Sequence, residues 1–106
     1  MEKPVYKRVL LKVSGEALAG GAGRGLDFDI IHQITRVIKK CVDAGVQVGI
    51  VIGAGNFWRG VKDGGGKMER TRADHMGMLG TVMNCLAMAD VMEQEGIRVL
   101  EAVHIS

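Results

Sequence analysis

Val9-Leu10-Leu11-Lys12-Val13 runs into Ser14-Gly15-Glu16, and Val48-Gly49-Ile50-Val51-Ile52 runs into Gly53-Ala54-Gly55-Asn56. Each stretch reads as a buried strand that ends in a polar, glycine-bearing loop. In open α/β sheets ligands sit outside the carboxyl ends of parallel strands, where glycine lets backbone N–H groups approach anionic oxygens closely. The pair of loops therefore points to phosphate chemistry, and Lys12 adds a cation beside the first.

Working outward, residues 6–13 predict a strand, read as central because its apolar run is nearly continuous. After the first loop, Asp27 is placed to cap a helix and Leu26 to staple onto Ile31. Ile30, Ile31, Ile34, Val37, Ile38, Cys41 and Val42 then repeat at three- and four-residue intervals until Gly45, which marks an amphipathic helix. With residues 46–52 as the second strand, the order strand, helix, strand implies a right-handed parallel crossover and puts both loops on one edge. Residues 72–95 predict a second helix with Met76, Leu79, Met83, Leu86 and Ala87 on one face, Gly96 stops it, and residues 97–105 read as a third strand. The fold class expected is α/β, a three-layer α/β/α sandwich around a mainly parallel sheet.

Composition narrows the function. The 106 residues are 47% hydrophobic and 25% charged, which suits one small globular domain. Apolar runs fall well short of the ~18 residues that suggest a membrane span, and residues 1–4 lack the apolar stretch of a signal peptide, so a cytoplasmic address is expected. The net charge of +2 without a dense Lys/Arg stripe argues against a nucleic-acid groove. Cys41 and Cys85 stand far apart, outside any C-x-x-C pair, and read as reduced core thiols. His32, His75 and His104 show no ligand-like spacing. Sixteen glycines and one proline are the anomaly, and the glycines gather between the periodic segments as loops.

Several side chains carry two readings. Lys12 either neutralises charge on a transferring phosphoryl group or snorkels to water from a strand end. No G-x-x-x-x-G-K-[ST] occurs, which excludes the P-loop class. Gly53-Ala54-Gly55 opens like a dinucleotide fingerprint, but Trp58 replaces its third glycine, so that reading is the weaker one; a plain strand-to-helix turn is the other. Arg59 is either an exposed arginine or a bidentate phosphate ligand, with Phe57 and Trp58 packed beneath the loop. Asp74 is either a helix-terminus carboxylate, with Thr71 three residues before it, or an acceptor for sugar hydroxyls. Methionines at 76, 78, 83, 88 and 92 cover more than one helix face, which suggests that another subunit covers the second.

Lys12-Val13-Ser14-Gly15-Glu16-Ala17-Leu18, Gly53-Ala54-Gly55-Asn56-Phe57-Trp58-Arg59-Gly60 and Ala73-Asp74-His75-Met76-Gly77-Met78-Leu79-Gly80-Thr81-Val82-Met83-Asn84 together resemble the bacterial uridylate kinases of the amino acid kinase superfamily. The third block is the most specific, because carbamate and acetylglutamate kinases share the loop plan without that string. The resemblance implies ATP-dependent conversion of UMP to UDP in pyrimidine nucleotide synthesis, with Mg2+ accompanying ATP, in a cytoplasmic homohexamer. It implies ATP contacts at Lys12, Val13, Ser14, Gly15, Gly55 and Arg59, with Lys12 catalytic, and UMP contacts at Ala54 and Asp74. It links Gly20, Gly21, Ala22, Gly23, Arg24 and Gly25 to allosteric activation by GTP, with UTP as a second possible effector.

Two departures from the family pattern stand out. Ala54 replaces the middle of three glycines, and its methyl is tolerable at negative φ but crowds a nucleotide at positive φ. Residues 62–67 form a glycine-rich, insert-like stretch. The resemblance also implies further chain after Ser106, so residues 1–106 are expected to be the N-terminal, nucleoside-monophosphate-binding part of one domain, with little turnover alone. The alternatives are another amino acid kinase acting on a carboxylate or carbamate, or a non-enzymatic nucleotide-sensing module.

Overall fold

Residues 7–58 and 66–100 are described by the structure, a computed structural model. Strands β1 (Arg8–Val13) and β2 (Gln47–Ile52) pair in parallel, with Lys12 opposite Val51 and Val13 opposite Ile52. Because side chains alternate across a strand, this register puts Val13 and Ile52, 8% and 7% exposed, on one face. Leu10 and Val51, 71% and 50% exposed, fall on the other. The covered face meets helices α1 (Phe28–Asp43) and α2 (Arg70–Gln94), which share one core of Leu18, Ile31, Ile38, Met88, Val91 and Ile97 with the strands. The described residues thus build a parallel sheet with one helical layer.

Local chemistry fixes where α1 begins and stops. The Asp27 carboxylate accepts hydrogen bonds from the backbone N–H groups of Asp29 and Ile30, at 3.0 and 3.3 Å, which satisfies donors that the first turn otherwise leaves unpaired. Leu26 packs against the same core as Ile31, as a staple requires. At the far end Gly45 has φ 89°, a left-handed conformation that lets the chain turn directly into β2.

Three expectations change. The first glycine-bearing segment is not an open loop but a 3-10 run, Gly15–Ala22, kinked at Gly20. Its Leu18 is fully buried and anchors the turn to the core. Strand β1 has β2 as its one sheet neighbour among the described residues, so it is an edge here. Residues 97–100 are not a strand: the Ile97 N–H donates to the Met92 carbonyl, folding this stretch back on the end of α2. The remainder of the expected third strand, 101–105, lies outside the described residues.

Helix α2 carries the expected apolar stripe on its uncovered side. Its buried side is Ala73, Gly80, Asn84, Met88, Ala89, Val91 and Met92, whereas Met76, Leu79, Met83 and Leu86 are exposed. Spacing identified an apolar stripe but could not say which side meets the sheet. Small residues decide it, because Ala73 and Gly80 let the helix axis approach the second loop closely.

Candidate functional site

The two glycine-bearing loops meet at the carboxyl edge of the sheet. The Gly53 N–H donates to the Val13 carbonyl at 3.0 Å, so the ladder continues one step beyond β2 into the loop. A Cβ at Gly15 would lie 2.5 Å from the Gly53 carbonyl oxygen, 2.6 Å from the Gly55 nitrogen and 2.7 Å from Asn56 Oδ1. These are backbone and buried neighbours, so only glycine allows the approach. Ser14 precedes it in extended conformation, and its Oγ accepts from the Glu16 N–H at 3.2 Å, capping the 3-10 turn. Lys12 is exposed on the uncovered face of β1 and pairs with no carboxylate among the described residues. Lys12, Val13, Ser14 and Gly15 therefore form one continuous strand end against Gly53 and Gly55.

A buried amide pair holds the second loop. Asn56 and Asn84 are 2% and 0% exposed, and each side-chain N–H2 donates to the other's Oδ1, at 2.9 and 2.8 Å. The second N–H of Asn84 donates to the Gly53 carbonyl, and that of Asn56 to the Gly25 carbonyl, both at 2.8 Å. Since both outer partners are carbonyl oxygens, only the N–H2 side of each amide can face them, which fixes the orientation of the whole network. The Gly25 N–H also donates to the Asn56 carbonyl at 3.0 Å. Three segments remote in sequence are thus fastened at one point.

Ala54 has no positive φ, since among the described residues only glycines adopt one. Its methyl is turned toward α2: a Cβ built on Gly80 would stand 2.9 Å from it. The departure from three glycines is therefore accommodated on the helix side of the loop. Beyond it, Trp58 Nε1 donates to the Ala73 carbonyl at 2.8 Å, and Phe57 and Trp58 are half-buried, standing against Gly80 and Gly77 of α2 rather than simply beneath the loop.

Asp74 follows Ala73 directly and is exposed within the first turns of α2, which starts at Arg70. The capping reading fails, because Glu69 occupies the cap and Asp74 and Thr71 lie inside the helix. Asp74 Oδ1 stands 3.6 Å from Arg70 Nε, both side chains more than half exposed, a pairing that solvent renders weak. Arg59 lies outside the described residues, as do Gly60 and residues 62–65.

Of the stretch Gly20, Gly21, Ala22, Gly23, Arg24 and Gly25, residues 21–24 are exposed. Gly25 is the one fastened to Asn56. No cluster of three His, Cys, Asp or Glu side chains stands together among the described residues, so the chain brings no metal cage of its own there. An open apolar cleft of about 640 Å³ lies elsewhere, between β2, α1 and α2, and is lined by Ile38, Ile50, Met88 and Ile97 rather than by the loops.

Sequence reading missed Asn56 and Asn84. The available signal was Asn84 itself, an amide in an otherwise apolar helix segment, Thr81-Val82-Met83-Asn84-Cys85-Leu86. A buried amide needs partners, and the obvious ones are loop carbonyls.

The profile of the amino acid kinase family matches residues 7–103. Uridylate kinases of Mycobacterium sp. strains KMS and JLS are each 57% identical over 95 residues, covering 90% of this chain and 37% of theirs. The structure of UMP kinase from Bacillus anthracis superposes with a TM-score of 0.78 at 40% identity, over 85% of this chain and 37% of that one. UMP kinase from Ureaplasma parvum gives 0.77 at 33% identity, over 87% and 40%. The chain thus spans little more than a third of the length of these relatives.

Proposed function

Because the chain belongs to the amino acid kinase family, we propose that it supplies the phosphate-handling edge of an enzyme that transfers a phosphoryl group from ATP to UMP, giving UDP and ADP. The relatives named uridylate and UMP kinase support that choice of substrates. The single observation that carries it is the contact of two glycine loops across Gly15 and Gly53, with Lys12 free to approach from the strand end.

In this reading phosphoryl transfer is in line and needs no covalent enzyme intermediate, so catalysis consists of positioning and charge neutralisation. Lys12, Val13, Ser14 and Gly15, with Gly55 and Arg59, contact the phosphates of ATP, and magnesium enters as the MgATP substrate. Ala54 contacts UMP and Asp74 accepts hydrogen bonds from its ribose. Residues 1–106 act as the nucleoside-monophosphate-binding part of one domain. The segment of residues 20–25 responds to GTP, UTP is a second possible effector, and the reaction belongs to cytoplasmic pyrimidine nucleotide synthesis.

The exposed stripe of Met76, Leu79, Met83 and Leu86 is the surface for self-association, in which a second copy covers side chains 39–58% exposed in the single chain. By resemblance the assembly is a hexamer. The deciding experiment is calorimetric titration of the full-length protein with UMP, GTP and acetylglutamate, together with a coupled assay for UMP-dependent ADP formation. UMP binding with turnover is expected. Binding of acetylglutamate in its place, or of GTP without turnover, overturns the reading.

A further inference from the structure

Asn84 does more than fill a buried position. Its Nδ2 donates to the Gly53 carbonyl, and in a planar trans peptide the N–H of the next residue points opposite to that carbonyl. The Ala54 N–H is consequently directed away from α2. It reaches no acceptor among the described residues. A backbone donor held in that direction at the carboxyl edge of a parallel sheet is the group an anionic oxygen requires.

We propose that Asn84, braced by Asn56, is a positioning residue that aims the Ala54 N–H at the phosphate of UMP. This rests on the reading above that Ala54 meets UMP. The brace has the features of such a device. Both amides are almost fully buried and all four outward and mutual donations are made, so neither side chain can rotate without leaving a carbonyl unpaired. The loop itself has glycines at 53 and 55, whose backbone freedom would otherwise let the Gly53-Ala54 peptide flip. Rigidity at this peptide is therefore imposed from α2, not by the loop's own sequence.

The test is UMP and ATP titration of the full-length protein by calorimetry, for the wild type, Asn84→Asp and Asn84→Ala. Asn84→Asp keeps the shape but sets a carboxylate oxygen against the Gly53 carbonyl. Asn84→Ala removes the donor without burying a charge and is decisive should the aspartate variant not fold. The expected result is a UMP Kd raised about tenfold or more, the size of one hydrogen bond to a charged group, with ATP affinity changed less than about threefold, a small fraction of that energy. Ile31→Val loosens the same core away from the brace and is expected to leave both affinities unaltered.

Wild-type UMP binding with unchanged UMP Kd in both Asn84 variants overturns the positioning role and leaves the kinase reading standing. Parallel weakening of UMP and ATP, or a fall in stoichiometry at constant Kd, also overturns it, because a merely structural defect behaves that way. Absence of UMP binding by the wild type removes the kinase reading and this inference together.

Discussion

Ala54 and Gly80 share room for a single methyl group. A Cβ built on Gly80 stands 2.9 Å from the Cβ of Ala54 and 3.4 Å from that of Phe57, so the helix and the loop approach as closely as one side-chain carbon permits. Gly80→Ala is expected to destabilise the protein by about 1–3 kcal/mol through overpacking, outweighing the roughly 1 kcal/mol that alanine gains over glycine in a helix. The exchange Ala54→Gly with Gly80→Ala restores the methyl count and should return the urea midpoint to the wild-type value or above it. A single Gly80→Ala variant as stable as the wild type would refute the shared-methyl account.

Gly15→Ala forces a methyl against two backbone atoms of the second loop and the Asn56 amide oxygen. The loops must separate, since none of these neighbours is the free end of a flexible side chain. A loss of about 1–3 kcal/mol or more is expected, accompanied by loss of ATP binding in calorimetry. Normal ATP affinity in a folded Gly15→Ala protein would mean that contact between the loops is not needed.

Asp27→Ala removes the acceptor for two N–H groups at the start of α1. The expected cost is about 1 kcal/mol, within the range for helix caps, and Asp27→Asn should recover most of it because the amide oxygen still accepts. Chemical denaturation reads both. Equal stability of the alanine variant would show that water replaces the cap without loss.

Lys12→Met should lower kcat by ~10²-fold or more, as removal of a group that meets charge developing in the transition state does, with UMP affinity preserved. Asp74→Asn should do the reverse, raising KM for UMP with a smaller change in kcat, since its proposed contact is to the ribose and not to the moving phosphoryl group. If the two variants fail in the same kinetic parameter, the division of roles between them is wrong.

Leu79→Asp and Met83→Asp place carboxylates on the exposed apolar stripe of α2 without touching its buried side. Light scattering coupled to size-exclusion chromatography is expected to show a smaller assembly than the wild type. An unchanged mass in both variants would place the subunit contact elsewhere.

The first two strands, the helix between them and the adjacency of the loops were legible in the sequence because each has a local signal. Short, nearly continuous apolar runs mark β1 and β2, Asp27 marks the start of α1, and glycine marks the loops. The helical path of residues 15–22 was not legible, since Gly20 and Gly21 near its end argue against any helix, and burial of Leu18 and Ala19 with the Ser14 cap holds it. Which face of α2 is covered was likewise hidden: periodicity weighs large apolar side chains, whereas contact with the loop selects Ala73, Gly80 and Asn84 for their small size or their amide. The candidate site followed the same division. Lys12, Gly15 and Gly55 announced themselves by position after a strand, but the brace between Asn56 and Asn84 spans 28 residues and exists only in three dimensions.

Trp58 is the only tryptophan in the chain, and its indole N–H is bound to the Ala73 carbonyl, one residue before Asp74. The protein therefore carries a built-in optical probe, wedged between the second loop and the helix that presents the carboxylate. Any ligand that shifts one against the other changes the polarity around this indole, the one tryptophan within residues 1–106, so occupancy of the edge can be followed by emission wavelength in unlabelled protein.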